Sequence, residues 1–103
     1  MTRNHGFRLS IPALRDLREI SRHIAADSPT RALRLAKNLL SKCDSLGHDP
    51  GIGRTRDDLD IGLRGFPVGD YLIFYKATDI QVEIVRILHG ARDLPAIFDK
   101  DVS

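Results

Sequence analysis

The sequence predicts an α+β fold. An N-terminal strand leads into an antiparallel helical hairpin, and a three-stranded antiparallel meander follows, with the helices packed on one face of a four-stranded sheet. Three observations predict it. Ala32, Leu35, Ala36, Leu39, Leu40, Cys43 and Leu46 recur at the period of an amphipathic helix. Two β-branched and aromatic runs, residues 71–77 and 80–88, flank the polar pair Thr78-Asp79, as the arms of a hairpin do. The length of 103 residues suits one domain, 1–103, with one modest core.

Phe7-Arg-Leu-Ser-Ile11 alternates apolar with polar residues and reads as the first strand. Pro12 suits the first turn of a helix, where its missing N–H costs nothing. From residue 13 to 26, Leu14, Leu17, Ile20 and Ile24 form an apolar stripe, and Arg15, Arg18 and Arg22 lie on another face. Asp27-Ser28-Pro29 ends this helix and starts the next, with Ser28 as N-cap and Pro29 in the first turn. The second helix should run to about Leu46, with Gly47 closing it in a positive-φ conformation. Residues 48–60, rich in Gly, Pro and Asp, read as a long loop. Residues 61–66 read as a short strand, and Pro67-Val-Gly-Asp70 turns it into the central hairpin. There, Tyr71, Ile73 and Tyr75 alternate with Leu72 and Phe74, and Ile84 and Leu88 with Val85 and Ile87. A hairpin apolar on both faces belongs at the centre of a sheet. Residues 91–98 form a short, partly apolar tail.

Composition excludes several functions. With 42% hydrophobic and 29% charged residues the chain is globular. The formal charge is +2 and the pI about 9.0, which permits an acidic partner without demanding one. The single Cys43 excludes an internal disulfide, and no Cys/His cluster suggests zinc. Asp57, Asp58 and Asp60 lack the spacing of a calcium loop, so no metal and no cofactor is expected. Gly51-x-Gly53 is too short for a phosphate loop. No stretch approaches the roughly 20 apolar residues of a membrane span, and the first six residues hold no apolar signal core. A cytoplasmic protein is expected. The arginines of the first helix, with Arg31, Arg34 and Lys37 of the second, read as a solvated face, Arg15 being spaced to pair with Glu19. Few aromatic residues are available to stack bases, so direct sequence-specific DNA binding is not expected.

The exit of the last strand concentrates chemistry. Arg86, His89 and Arg92 surround Gly90, where the strand stops. Arg86 projects from an apolar strand, and a guanidinium there could hold the fold through Asp93 or Glu83. Gly90 could end the strand in a conformation closed to other residues. Arg64, Arg86, His89 and Arg92 should cluster on one side of the sheet if Arg64 lies on the strand beside the hairpin.

The element order, Tyr71-Leu-Ile-Phe-Tyr75 and Val85-Arg-Ile-Leu-His-Gly-Ala-Arg-Asp93 together resemble the ParE branch of the RelE/ParE toxin superfamily. Ala13-x-x-Asp16-Leu-x-x-Ile20 and Gly62-Leu-Arg64 are similar too, so the likeness spans residues 7–94 or nearly so. The resemblance implies a type II toxin neutralised by a small ParD-like antitoxin. ParE-like members are associated with poisoning DNA gyrase, RelE-like members with cleaving mRNA on the ribosome. Cleavage through a 2′-hydroxyl needs a base, an acid and cations around the phosphate. In the ribonuclease branches an arginine commonly stands where this chain has Leu72, and many add a Tyr or His near the C-terminus, which the tail Asp93-Leu-Pro-Ala-Ile-Phe98 lacks. The expectation is a gyrase-binding toxin with no catalytic residues. Its target contacts are Arg64, His89 and Arg92, and Arg86, Gly90 and Asp93 support the site. Its antitoxin groove lies near Leu14, Leu17, Leu35 and Leu39. A ribosome-dependent endoribonuclease, or a decayed toxin that keeps only antitoxin binding, are the alternatives.

Overall fold

The structure is a computed structural model that describes residues 6–99; the N-terminal stretch read for a signal core lies mostly outside them. In chain order the elements are β1 (Phe7–Leu9), α1 (Ile11–Ala25), α2 (Pro29–His48), a 3-10 turn (Pro50–Ile52), β2 (Arg54–Thr55), β3 (Arg64–Val68), β4 (Tyr71–Ala77), β5 (Val82–His89) and α3 (Leu94–Phe98). The helical hairpin and the β3–β4–β5 meander match expectation. The sheet has five strands rather than four, in the order β1-β5-β4-β3-β2, with β1 parallel to β5 and the other pairs antiparallel.

Local chemistry explains where each element starts and stops. β1 ends at Leu9 because Ser10 caps α1: its hydroxyl accepts from Ala13 N at 3.1 Å. Ser28 caps α2 in the same way, accepting from Arg31 N at 3.2 Å, with Pro29 behind it. Helix α2 passes through Gly47 to His48, so Gly47 does not end it. It is a contact point instead, where a Cβ would overlap the backbone of Gly6. β3 begins later than expected because residues 60–62 turn, with Gly62 N–H donating to the Asp57 carboxylate at 2.8 Å. It runs on through Pro67, opposite Leu72. β2 pairs only with Arg64 and Gly65, so β3 is a free edge beyond them and tolerates a proline. Gly69, at φ 59°, makes the tight turn into β4.

The central hairpin is covered on both faces. On one, α1 and α2 pack Ala13, Leu17, Leu39 and Cys43 against Ile73, Tyr75, Ile84 and Ile87. On the other, Phe74 and Leu88 meet Leu63 and Leu94, with Leu59, Val85 and Phe98 around them. The expected tail is therefore a helix, capped by Asp93, whose carboxylate accepts from Ala96 N. Its Leu94 alone buries apolar surface worth about 2 kcal/mol. The expected alternation holds along β4 and fails along β5. Phe74 faces Arg86 and Tyr75 faces Ile84, so Val85 is an extra, bulged residue. Ile84 and Ile87 consequently share the helix-side core, and Val85 and Leu88 share the other.

β1 reaches only as far as Ile84, leaving the rest of β5 without a strand neighbour on that side. Helix α1 takes over. Ser10 N–H donates to Ile84 O at 3.0 Å and the Ser10 hydroxyl to Val85 O at 2.9 Å. Asp16, nearly two turns on, is the buried carboxylate of α1. It accepts from Arg86 Nε at 2.7 Å, Arg86 Nη2 at 2.9 Å and Ile87 N at 3.0 Å. Hydrogen bonding to Asp16 raises the guanidinium pKa above its ordinary value, with the charges of Asp16 and Glu19 adding to it. The partner of Arg86 is thus Asp16 and neither Asp93, which caps α3, nor Glu83, which faces Arg8 at 3.8 Å on the surface. The bulge explains the difference: it turns Arg86 toward α1, which carries the one buried carboxylate among the described residues.

Tyr75 ties down the chain before β2. Its buried hydroxyl donates to Pro50 O at 2.7 Å and accepts from Gly53 N at 2.8 Å. A Cβ at Gly53 would overlap the phenol ring, so only glycine fits there. Burial raises the Tyr75 pKa above its ordinary value of 10.0, and burial pushes the Cys43 thiol up to about 12, which leaves it inert near neutral pH.

Two predictions follow from these contacts. Asp16→Ala and Arg86→Ala should each cost about 3–5 kcal/mol by denaturant titration, Asp16→Ala the more, because it strips partners from both Arg86 and Ile87 N. A cost below about 1 kcal/mol for either would show that solvent repairs the pair. Tyr75→Phe should cost about 1–3 kcal/mol, since it orphans two backbone groups. The wild type should also lose stability as pH rises above about 10, where the unfolded chain ionises the phenol and the folded one still holds its proton. Comparing melting temperatures between pH 7 and 11 tests this: that part of the alkaline loss should vanish in Tyr75→Phe, while the part due to Cys43 remains.

Candidate functional site

A cleft of about 350 Å³ opens between α1 and the end of β5. Asp16, Glu19, Ile20 and His23 line it from α1, following the helical spacing that sets them on one face. Tyr71, Ile87, Leu88, His89 and Arg92 line it from the sheet. His89 sits opposite Tyr71 in the ladder, the two rings edge to face with centroids 5.2 Å apart. Its Nδ1 accepts from Ala91 N at 3.0 Å, so the neutral ring carries its proton on Nε2. Its carbonyl accepts from Arg92 N at 3.0 Å. These two bonds hold the turn and keep Arg92 exposed beside the cleft.

His89 and Arg92 therefore come together as the sequence predicted, and Arg64 does not join them. Arg64 faces Tyr75, four residues along β4 from the Tyr71–His89 row, which is roughly 13 Å of strand. Its Nη1 donates to Gly53 O at 2.7 Å. Arg86 lies on the far side of Asp16, walling a smaller cleft with Pro12, Arg15 and Glu19. Gly90 adopts no positive φ; its N–H donates to Asp70 O at 2.8 Å, and a Cβ there would make only ordinary contacts. The expected conformational demand at Gly90 is absent.

The four leucines expected to floor a groove divide. Leu39 is fully buried and Leu17 nearly so, both within the domain's own core. Leu14 and Leu35 remain half-buried. Leu35 lies in a second cleft, about 550 Å³, with Ile24, Arg31, Arg34 and Asn38. Arg31, Arg34, Leu35 and Asn38 form one stripe of α2. Both arginines are exposed, and no ion pair to either exists among the described residues. The spacing for an Arg15–Glu19 pair also goes unused among the described residues.

Leu72 stands opposite Leu88 and packs into the second apolar cluster. Around it, Arg54, Arg56, Gly65 and Pro67 line a cleft of about 270 Å³. Sequence reasoning missed Arg54 and Arg56, since they fell in a stretch read as loop; only the x-Arg-Thr-Arg alternation hinted at a strand. The aspartates that follow are engaged one by one. Asp57 holds Gly62 N, Asp58 forms a two-point pair with Arg56, and Asp60 meets Lys76 at 2.8 Å. The Arg56 guanidinium lowers the Asp58 pKa, and Lys76 lowers that of Asp60. No group of three His, Cys, Asp or Glu among the described residues could hold a metal, and no helix there is long and apolar enough to cross a membrane.

Comparison with known proteins gives a consistent result. A family model described as "ParE toxin of type II toxin-antitoxin system, parDE" matches residues 7–94. Toxin ParE3 of Caulobacter vibrioides is 31% identical over 93 residues, covering 86% of this chain and 90% of its own. Toxin RelE2 of the same organism is 40% identical over 80 residues, covering 78% and 89%. Among solved structures, the chromosomal ParDE system from P. aeruginosa contains a chain that superposes with a TM-score of 0.70 at 18% identity, over 82% of this chain and 95% of that one, and so has the same fold. The chain belongs to the ParE toxin family of type II toxin–antitoxin systems, within the RelE/ParE superfamily.

Proposed function

We propose that this toxin acts in the cytoplasm by docking on DNA gyrase, with no chemistry of its own, and that a ParD-like antitoxin holds it in check. The observation that carries the reading is Leu72. In the ribonuclease branches an arginine commonly stands at this position, and here an aliphatic side chain faces Leu88 and packs against an apolar cluster. His89 is a poor substitute for the missing machinery. It shares its cleft with the carboxylate of Glu19, which opposes the approach of a scissile phosphate, while that of Asp16 is taken up by Arg86. As a contact surface the same end of the sheet is well made. Tyr71, His89 and Arg92 offer aromatic and guanidinium groups of the kind that dominate interfaces, on a turn fixed by hydrogen bonds. Arg64, tied to Gly53, serves the fold in this reading.

For the antitoxin, the cleft of Ile24, Leu35, Arg31 and Arg34 suits an acidic amphipathic segment, its apolar residues on the leucine and its carboxylates on the guanidiniums. The likeness to a protein named Toxin RelE2 supports a second reading, ribosome-dependent mRNA cleavage. A chain that has lost toxicity and retains only antitoxin binding is the third.

Inducing the toxin alone, with plasmid supercoiling and mRNA 5′ ends followed together, separates these readings. Negative supercoiling should fall before any specific transcript is cut, and Arg92→Ala should relieve growth arrest while changing stability by about 0.5 kcal/mol or less. Early, His89-dependent mRNA cuts would transfer the chain to the ribonuclease reading, and intact growth would point to decay. The antitoxin prediction is separate. At a free concentration about 100 times its Kd, antitoxin should add about 2.7 kcal/mol to toxin stability. The double variant Arg31→Glu, Arg34→Glu, changed only at exposed positions, should remove most of that gain; a gain that persists in the variant would place the antitoxin elsewhere.

A further inference from the structure

We propose that the hollow formed by Arg54, Arg56, Gly65 and Leu72, on the sheet face opposite α1 and α2, is a docking site for an extended acidic segment of a protein partner. It is distinct from both the His89–Arg92 cleft and the α2 stripe. Arg54 and Arg56 stand two residues apart, so their side chains share one face of the chain. Arg56 N–H donates to Leu63 O at 2.7 Å, continuing the β2 pairing and fixing that face.

The hollow is built into the fold. Gly65 supplies its floor by having no side chain: a Cβ there would press on Phe74 at 3.3 Å and on Arg56 Cγ at 3.5 Å. The absence of that atom lets the Arg56 stem lie across the strand, with its guanidinium 6.0 Å from the Phe74 ring centre. Asp58 grips Arg56 at two points, both at 3.0 Å, and holds it as a wall. Arg54, on the other side, is exposed and has no ion pair among the described residues. A lone charge that merely blocks edge pairing would need no such hollow.

Charge and shape select the occupant. Among the described residues no carboxylate lines this hollow, Asp58 being turned to the Arg56 that walls it, so Arg54 is its unpaired cation, whereas Asp16 and Glu19 line the cleft beside His89. It therefore favours an anion. Single-stranded nucleic acid gains much of its affinity by stacking bases on exposed rings, and the one ring here, Phe74, is fully buried beneath Arg56. A carboxylate side chain needs only the planar fork of Arg54, with apolar contact to Pro67 and Leu72 alongside. β2 is the last strand of the sheet, so its outer edge is open to an extended chain lying along it. Two residues of β2 offer few backbone bonds, which makes the arginine contact the main determinant.

The test is a titration of the full-length, 15N-labelled toxin with a hexaglutamate peptide at low ionic strength. The amides of Arg54, Thr55, Arg56 and Gly65 should shift saturably, independently of any shifts along Arg31–Asn38. Arg54→Ala should weaken that response about fivefold and Arg54→Lys less, since lysine keeps the charge and loses the fork. Hexadeoxythymidylate should bind these positions more weakly than hexaglutamate. The proposal is overturned by an absence of saturable shifts there, by shifts that survive Arg54→Ala unchanged, or by tighter binding of hexadeoxythymidylate, which would make the hollow a nucleic-acid surface. The titration reads binding at β2 and not gyrase inhibition, so its failure leaves the gyrase reading intact.

Discussion

The carboxylate of Asp16 accepts three hydrogen bonds at the one place where the sheet would otherwise be unfinished. β1 is three residues long and covers β5 only through Ile84. Beyond that point the backbone of β5 would be buried under α1 with no strand to satisfy it, a cost of about 1–3 kcal/mol for each orphaned group. Ser10 and Asp16 supply the missing partners from the first turns of α1. The helix thus completes the sheet, and its position cannot slide without breaking bonds on both. Arg86 then balances the charge that this arrangement buries. An ion pair with side chains 19% and 11% exposed adds little net stability over an apolar pair of the same shape. What it adds is register, because only one rotation of α1 aims Asp16 at both Arg86 and Ile87 N.

The same junction explains why parts of the sequence were legible and others were not. Helix boundaries were readable from Ser28-Pro29 because capping is local chemistry, settled within three residues. The alternation of β4 was readable because that strand is regular. On β5 the Val85 bulge moved Ile84 and Ile87 onto one face, and no residue in that stretch announces a bulge. The partner of Arg86 was equally hidden. Asp16 is 70 residues away, and a search among sequence neighbours finds only Glu83 and Asp93. β2 and α3 were missed for a different reason: at two and five residues they are too short to show a period, and only tertiary contacts make them regular. Of the candidate site, the His89–Arg92 turn was legible because Gly90 and its neighbours are contiguous. Arg64 does lie on the strand beside the hairpin, but the register, which the sequence does not show, sets it opposite Tyr75, at the far end of the ladder from the Tyr71–His89 row.

A hairpin apolar on both sides commits the chain to covering two faces with only 103 residues. The helical hairpin covers one. The other is closed by small pieces: Leu59 and Leu63 from the loop, and Leu94, Ile97 and Phe98 from α3. Those pieces are in turn held by Tyr75 pinning residues 50–53, by Asp57 and by the Asp93 cap. The second face is therefore less deeply built than the first, and it is where shallow hollows such as that of Gly65 can form.

The distribution of charge over this frame bears on what the molecule can do. A net charge of +2 is the small residue of 16 basic and 14 acidic side chains, and they are not evenly mixed. Carboxylates are drawn toward the α1–β5 cleft and into the loop that follows β2, where Asp57, Asp58 and Asp60 are each spent on a structural bond. Arginines with no ion pair among the described residues include Arg31 and Arg34 on the α2 stripe and Arg54 on β2, along with Arg15, Arg18 and Arg22 on α1. Catalysis of RNA cleavage would require the reverse, with cations and a proton-transfer pair converging on one phosphate-sized point. Here Arg54, Arg31 and Arg34 lie on surfaces apart from His89, whose cleft holds Arg92 together with Glu19 and the Arg86-paired Asp16. Separate, outward cationic patches on a small rigid frame suit contact with extended acidic protein surfaces, one partner laid along each. Under the gyrase-docking function proposed above, control by an antitoxin needs only competition for, or coverage of, those patches and no blockade of a reaction centre.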